Sequence, residues 1–197
     1  TGDILELSEW VLETGLEQIR QWLDNDEGSD DFSLALNVSS RQLMQPDFAR
    51  LLIEKVKTHR VPPGMVQVEV TESGLMDDIN QARQHLINLN AAGIQSAIDD
   101  FGTGYSSLAY LRGLPVSVLK IDRSFVNDIE TNGQDLRLAE TVVTMAHNFG
   151  CIVVAEGVEN AEQARLLAGI GCEHVQGYHY ARPMDAGALA GFVDDRN

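Results

Sequence analysis

The sequence predicts an α/β fold, a (β/α)8 TIM-type barrel here lacking the first two strands. Three observations lead there. After an opening helix, six short apolar runs alternate with stretches of helical character, the order of a parallel sheet with crossover helices. The runs are apolar enough to be buried on both faces. Nearly every run also ends in a polar side chain suited to ligand binding: Asn37, Glu69, Asp99 with Asp100, Lys120 with Asp122, Glu156 and Gln176. An open doubly wound sheet shares this element order but binds its ligand at one switch point, whereas a barrel gathers polar groups from many strand ends onto one face. The distribution favours the barrel. A full barrel needs eight strands and typically ~250 residues. Six strands in 197 residues are therefore expected to be a single domain missing its N-terminal portion, a piece of something longer.

The elements follow in order. Ile4, Leu7, Val11, Leu12, Leu16, Ile19 and Leu23 recur at helical spacing, flanked by Trp10 and Trp22, which predicts one long amphipathic helix ending before the acidic stretch 25–31. Ser33–Val38 is the first apolar run, and a helix spans about Asp47–His59 with Pro46 placed for its first turn. Pro62, Pro63 and Gly64 break the pattern. Val66–Val70 alternates with β-branched residues and reads as a strand. Ile79–Ala91 is helical and closes at Gly93, a residue suited to a left-handed cap. The third strand begins at Ala97 and runs into the two aspartates; the fourth is Val116–Ile121. Leu136–Asn148 is a helix ended by Gly150, Cys151–Ala155 the fifth strand and Ala161–Ala168 a helix. His174–Gln176 is a short sixth strand, and Ala186–Val193 forms the last helix.

Composition narrows the function. With 14 basic against 30 acidic residues the formal charge is −16, which argues against contact along a long nucleic-acid backbone. A phosphate substrate must then be met locally, by metal ions or a few placed cations. Cys151 and Cys172 lack CxxC spacing and lie in apolar surroundings, so reduced core thiols of a cytoplasmic domain are expected. No apolar run approaches the ~20 residues that cross a bilayer, and TGDILELSEW has neither the basic nor the apolar region of a signal peptide. No direct membrane contact is expected of this chain, whether the domain stands free or forms the cytoplasmic part of a membrane-bound protein.

The chemistry centres on AIDDFGTGYSSLAYL, residues 97–111. Two adjacent carboxylates at the mouth of a buried strand are costly unless a positive group sits between them. A metal ion answers that need; the plainer reading is that Asp99 and Asp100 end a strand and cap a turn. Gly102 and Gly104 permit backbone conformations closed to other residues, and Ser106 or Ser107 is placed to cap a helix over 108–111. Oxygen ligands suit hard ions such as Mg2+ or Mn2+, and no HExxH or cysteine cluster points elsewhere.

Six motifs stand in order: NVS at Asn37, EVTES over 69–73, DDFGTGYSSL over 99–108, KIDRSFV over 120–126, AEGVE over 155–159 and QGYHYARP over 176–183. Together they resemble the EAL-domain phosphodiesterases of bacterial cyclic di-GMP signalling, across the whole chain. The resemblance implies a (β/α)8-type barrel that hydrolyses cyclic di-GMP to linear pGpG with two Mg2+ or Mn2+ ions, which lower the barrier by activating water and neutralising phosphate charge. It implies that Asn37, Glu69 and Asp99 hold one metal, that Asp99 bridges to a second shared with Asp100, and that Glu156 completes the cluster or accepts a proton from the attacking water. Lys120 would orient the hydroxide or stabilise the phosphate, an ordinary salt bridge being its alternative. Asp122 would touch the second metal or its water, or cap the following turn. Glu72 would fix the loop after the aspartates, Gly102 would belong to that loop, Gln176 would hydrogen-bond within the site, Glu159 would hold the AEGVE loop, and Pro183 would support the substrate. The glycine-rich segment becomes a candidate control loop linking metal occupancy to dimer geometry through Glu72.

In the family, the Glu-Ala-Leu segment lies upstream of the opening helix and supplies a metal-ligating glutamate and a substrate-binding arginine. That segment is absent from this sequence. The alternative function is therefore a catalytically inactive cyclic di-GMP-binding receptor or regulatory interaction domain. Expected partners are cyclic di-GMP, a second copy in a homodimer, and flanking sensory or diguanylate cyclase domains.

Other signals are set aside. Asp100-Phe101-Gly102 resembles a kinase metal loop without the glycine-rich loop or HRD sequence that would accompany it. His59, His85 and His147 read as surface or packing residues, and His179 is placed to line a guanine pocket. Trp10, Trp22 and the leucines of the opening helix read as core or as an association surface.

Overall fold

A computed structural model describes residues 3–25, 32–102 and 113–194. In chain order its elements are α1 (Asp3–Asp24), β1 (Leu34–Val38), α2 (Ser40–Leu43), α3 (Phe48–Thr58), β2 (Val66–Thr71), α4 (Glu72–Met76), α5 (Ile79–Ala91), β3 (Gln95–Phe101) and β4 (Val118–Ile121). There follow α6 (Gly133–Asn148), β5 (Ile152–Ala155), α7 (Ala161–Gly169), β6 (His174–Val175) and α8 (Ala186–Asp194). The six strands are all parallel and stand in sequential order. Among the described residues the order never reverses and shows no switch point. This is the winding of a barrel wall and not of a doubly wound sheet. Among the described residues the sheet stays open between β1 and β6.

Strand periodicity divides the wall into two faces. Leu36, Val38, Val66, Val68, Val70, Ile98, Leu119, Ile121, Val153 and Ala155 point outward into one apolar core shared with the helices. From α1 that core receives Leu12, Leu16 and Ile19, and from α5 Ala82, Leu86 and Leu89. Gly15 brings α1 against β1, since a Cβ there would stand 2.6 Å from Leu36 Cδ2. The other face of the wall is concave and polar at its rim. Ala35, Gln67, Glu69, Gln95, Lys120 and Gln176 help line a cavity of about 610 Å3 along it.

Local departures from the sequence expectation have local causes. The helix expected from Leu136 begins at Gly133 because the Asn132 side chain caps it, accepting from the Gln134 amide. The short helices α2 and α4 escape periodicity because each is barely one turn. Ser39 and Thr71 start them, accepting from the Gln42 and Gly74 amides. Pro46 stands just before the cap residue Asp47 and not in the first turn of α3. The fourth strand begins at Val118, two residues later than expected. The tryptophans of α1 differ: Trp22 is buried, whereas Trp10 is 61% exposed with Leu7 beside it on the surface. Cys151 and Cys172 are free and buried. The expected helix over 108–111, with Gly104, Ser106 and Ser107, lies outside the described residues. No helix among the described residues is long and apolar enough to cross a membrane.

Candidate active site at the strand ends

Lys120 is the pivot. It lies next to last in β4, all four of whose residues are buried, and is itself 5% exposed. An ammonium has three donors, and here each has a carboxylate: Glu69 Oε2 at 2.7 Å, Asp99 Oδ1 at 3.0 Å and Glu156 Oε1 at 2.6 Å. Burial alone would push the Lys120 pKa down, but the hydrogen bonds to Glu156 and Glu69 outweigh it and hold the group above its usual value. Lys120 therefore stays an ammonium at neutral pH. Glu69 moves the opposite way from an ordinary ion-paired acid: burial raises its pKa, and the attraction of Lys120 offsets this only in part. Three strands contribute to this contact because their register aligns them, Glu69 opposite Ala97 and Lys120 opposite Val154.

Adjacent residues of a regular strand point to opposite faces, so Asp99 and Asp100 should not share a site. β3 solves this with a bulge. Between the pairs Ile98–Leu119 and Phe101–Ile121 it carries one residue more than β4, and Asp100 takes φ 53°, a conformation that short polar side chains tolerate. Ile98 and Phe101 consequently both face the core, and both carboxylates turn to the rim. Ligand oxygens of Asp99, Asp100 and Glu156 lie within 4.8 Å of one another. Burial raises the Asp100 pKa, with the charges of Asp99 and Asp122 adding to it. Among the described residues one ammonium thus bonds three carboxylates with a fourth, Asp100, beside them, and the cluster there carries an excess of negative charge. The donors are all hard oxygens. Both facts fit a divalent cation of the Mg2+ or Mn2+ type.

The remaining expected residues surround this cluster. Asn37 sits in register with Glu69 on the edge strand β1, and its side chain is exposed. Glu72, 4% exposed at the start of α4, accepts the Gly102 amide at Oε2 over 2.9 Å. Gly102 has φ 94°, and a Cβ there would meet the Phe125 ring at 2.5 Å, so only glycine fits. Asp122 caps the turn at Arg123–Phe125, accepting from the Ser124 amide at 3.0 Å. It lies outside the Asp99–Asp100–Glu156 group among the described residues. Burial would raise its pKa, but the hydrogen bonds from Ser124 and Arg123 bring it below the usual value. Gln176 and Pro183 line a second cavity, of about 740 Å3, that also reaches Glu156 and Glu159. His179 is exposed and packs edge-on against Tyr180 at 4.9 Å between ring centres.

One further supporting residue is Gln163. Gln163, 5% exposed on α7, accepts the Glu159 amide at Oε1 over 2.8 Å, so the AEGVE loop is held by its backbone while the Glu159 side chain remains exposed. The signal was present: Asn160 caps α7, and a glutamine three residues later is the spacing of a capping box. The same loop is stitched to the end of β6 by Val158 N to Gln176 O at 3.0 Å and His179 N to Val158 O at 3.0 Å.

Comparison with known proteins shows the family. The EAL domain family profile matches residues 1–183. The signaling protein YkoW of Bacillus subtilis is 39% identical over 193 residues, covering 98% of this chain and 24% of YkoW. The bifunctional diguanylate cyclase/cyclic di-GMP phosphodiesterase MucR of Pseudomonas aeruginosa is 38% identical over 193 residues, covering 98% of this chain and 28% of MucR. The solved MucR phosphodiesterase in complex with cyclic di-GMP matches with a TM-score of 0.90 at 39% identity, over 96% of this chain and 76% of that one. The EAL domain of Mycobacterium smegmatis DcpA matches with a TM-score of 0.90 at 38% identity, over 96% of this chain and 85% of that one. The chain spans about a quarter of the length of these curated relatives. With the barrel-wall winding and the acidic strand ends in agreement, the chain belongs to the EAL domain family.

Proposed function

We propose that this domain hydrolyses cyclic di-GMP to linear pGpG with divalent metal ions, Mg2+ or Mn2+. The observation that carries the reading is the convergence of Asp99, Asp100 and Glu156 oxygens within 4.8 Å beside the buried Lys120. A purely structural ion pair would not need two further carboxylates. Names of the relatives add support, because MucR and NbdA of Pseudomonas aeruginosa are both described as cyclic di-GMP phosphodiesterases.

In this reading Asp99, Asp100 and Glu156 hold the metals, with Glu69 and Asn37 contributing from the neighbouring strands. When bound, the metals supply a nucleophile at neutral pH and neutralise charge on the phosphate. Water adds to phosphorus, the bond to one ribose 3′ oxygen breaks, and that oxygen leaves with a proton. Lys120 stays charged and serves as a fixed electrostatic support for charge developing on the phosphate, not as a proton acceptor. Glu72 fixes the exit of β3 through Gly102 and so keeps the two aspartates in register. Asp122 holds the turn after β4 in place. A homodimer and flanking diguanylate cyclase or sensory domains belong to the same proposal; the name of MucR, which joins both activities, supports the diguanylate cyclase alone.

The test is to incubate the chain, and a version extended upstream, with cyclic di-GMP and Mn2+ and to measure pGpG. Turnover that is lost on chelation and in Asp99→Ala supports the enzyme. Binding without turnover in either version makes the domain a receptor.

A further inference from the structure

We propose that Arg182, stacked on Tyr178, reads the guanine edge of the dinucleotide and sets the domain's base preference. The inference rests on the reading of the site as one for cyclic di-GMP. The cavity of about 740 Å3 beside the carboxylate cluster begins at Glu156, and its wall carries Tyr178, Arg182, Pro183, Met184 and Phe192. Arg182 Cζ stands 4.5 Å from the Tyr178 ring centre. In a chain with 30 acidic residues an exposed guanidinium is expected to find a carboxylate, yet among the described residues Arg182 forms no ion pair. Its partner is a ring.

That placement has a chemical consequence. The guanidinium carbon lies over the phenol ring, a contact that uses the group's charge and not its N–H fork, and the residue lines the cavity where a ligand's acceptors can meet that fork. Such a fork matches the O6 and N7 acceptors of guanine, whereas adenine offers an amino donor in place of O6 and repels it. The neighbouring walls favour a base over a bare anion. Pro183, Met184 and Phe192 give a flat heterocycle apolar contact but give a phosphate nothing in exchange for its water. In the proposed function the phosphate to be cleaved is met by the carboxylate cluster, which this cavity reaches at Glu156.

The experiment compares wild type, Arg182→Met and Arg182→Lys with Mn2+, reading KM for cyclic di-GMP and the inhibition constant of cyclic di-AMP as a competitor. Both variants are expected to raise KM about ten- to a hundredfold, the range for losing one bidentate base contact, and to leave the cyclic di-AMP constant within about twofold. Lysine fails as methionine does because it keeps the charge and loses the fork. Any one of three results overturns the proposal: KM within about twofold of wild type in Arg182→Met, recovery by lysine, or a parallel loss for cyclic di-AMP. The last two would assign Arg182 to phosphate charge. If the wild type binds cyclic di-GMP without hydrolysing it, dissociation constants give the same comparison. If it neither binds nor hydrolyses it, the function itself is refuted along with the base reading.

Discussion

Replacing Lys120 by methionine preserves the stem and removes the one cation that, among the described residues, contacts Glu69, Asp99 and Glu156. The ammonium is 5% exposed and Glu69 6%, so little solvent is available to take over. Breaking a buried pair and stranding its partner costs about 3–5 kcal/mol. For a domain of this size that lowers Tm by about 6–20 °C, a large fraction of an ordinary domain's stability. The loss should also depend on pH. Burial already raises the Glu69 pKa, and without Lys120 it rises further. The folded variant then binds a proton that the unfolded chain has released, so its stability falls as pH climbs above the ordinary carboxylate range. The gap between wild type and variant is therefore wider at pH 8 than at pH 5. Urea denaturation in EDTA, followed by circular dichroism at both pH values, measures it. A gap under about 1 kcal/mol, or one that does not widen with pH, would refute the reasoning that Lys120 is the buried counter-charge of this cluster.

Three further outcomes are expected. Glu72→Ala strands the Gly102 amide and should cost about 1–3 kcal/mol with a lower kcat, while Glu72→Gln, which keeps an oxygen in place, costs less; no change in either urea midpoint or kcat would remove the supporting role. Gly177→Ala would drive a Cβ into the backbone of Val158 and should cost about 1–3 kcal/mol or more. Gly133→Ala, with nothing within 4 Å of the new carbon, should be neutral or stabilising by about 0.4–1 kcal/mol, so equal losses in the two would contradict the packing account. Burial lowers the pKa of His85, which packs edge-on to Phe48 and bonds the Gln45 carbonyl. The unfolded chain then takes up a proton that the folded one refuses, and stability should fall as pH drops below about 6.5. His85→Asn should flatten that slope between pH 7 and 5, read from urea midpoints.

The sequence carried the strands well because their outward positions are apolar and their ends polar, so both the element order and the residues at the rim could be read directly. Val66, Val68 and Val70 beside Gln67 and Glu69 show the pattern at its clearest. What could not be read depends on contacts between strands. Nothing local says that Lys120 meets three carboxylates at once, because that follows from registers set by the whole sheet. Asp99 and Asp100 were visible as a pair, but the extra residue that lets both face the rim was not. The short helices α2 and α4 were missed because they depend on single side-chain caps and lack an apolar period. Asp122 reads from the sequence as either a metal contact or a turn cap; the cap is what the described residues show, its carboxylate accepting from the Ser124 amide.

The bulge in β3 has an implication for how such a site changes. A strand end ordinarily donates one side chain to its rim, and raising that number would mean altering a neighbouring strand. One residue of slippage at Asp100 doubles the valency of a single strand while leaving the pairing of Ile98 and Phe101 intact. Donor number is thereby uncoupled from strand number, and it hangs on the backbone angle of one residue. A residue unable to hold φ near 53° would return the strand to single valency without touching a ligand's chemistry.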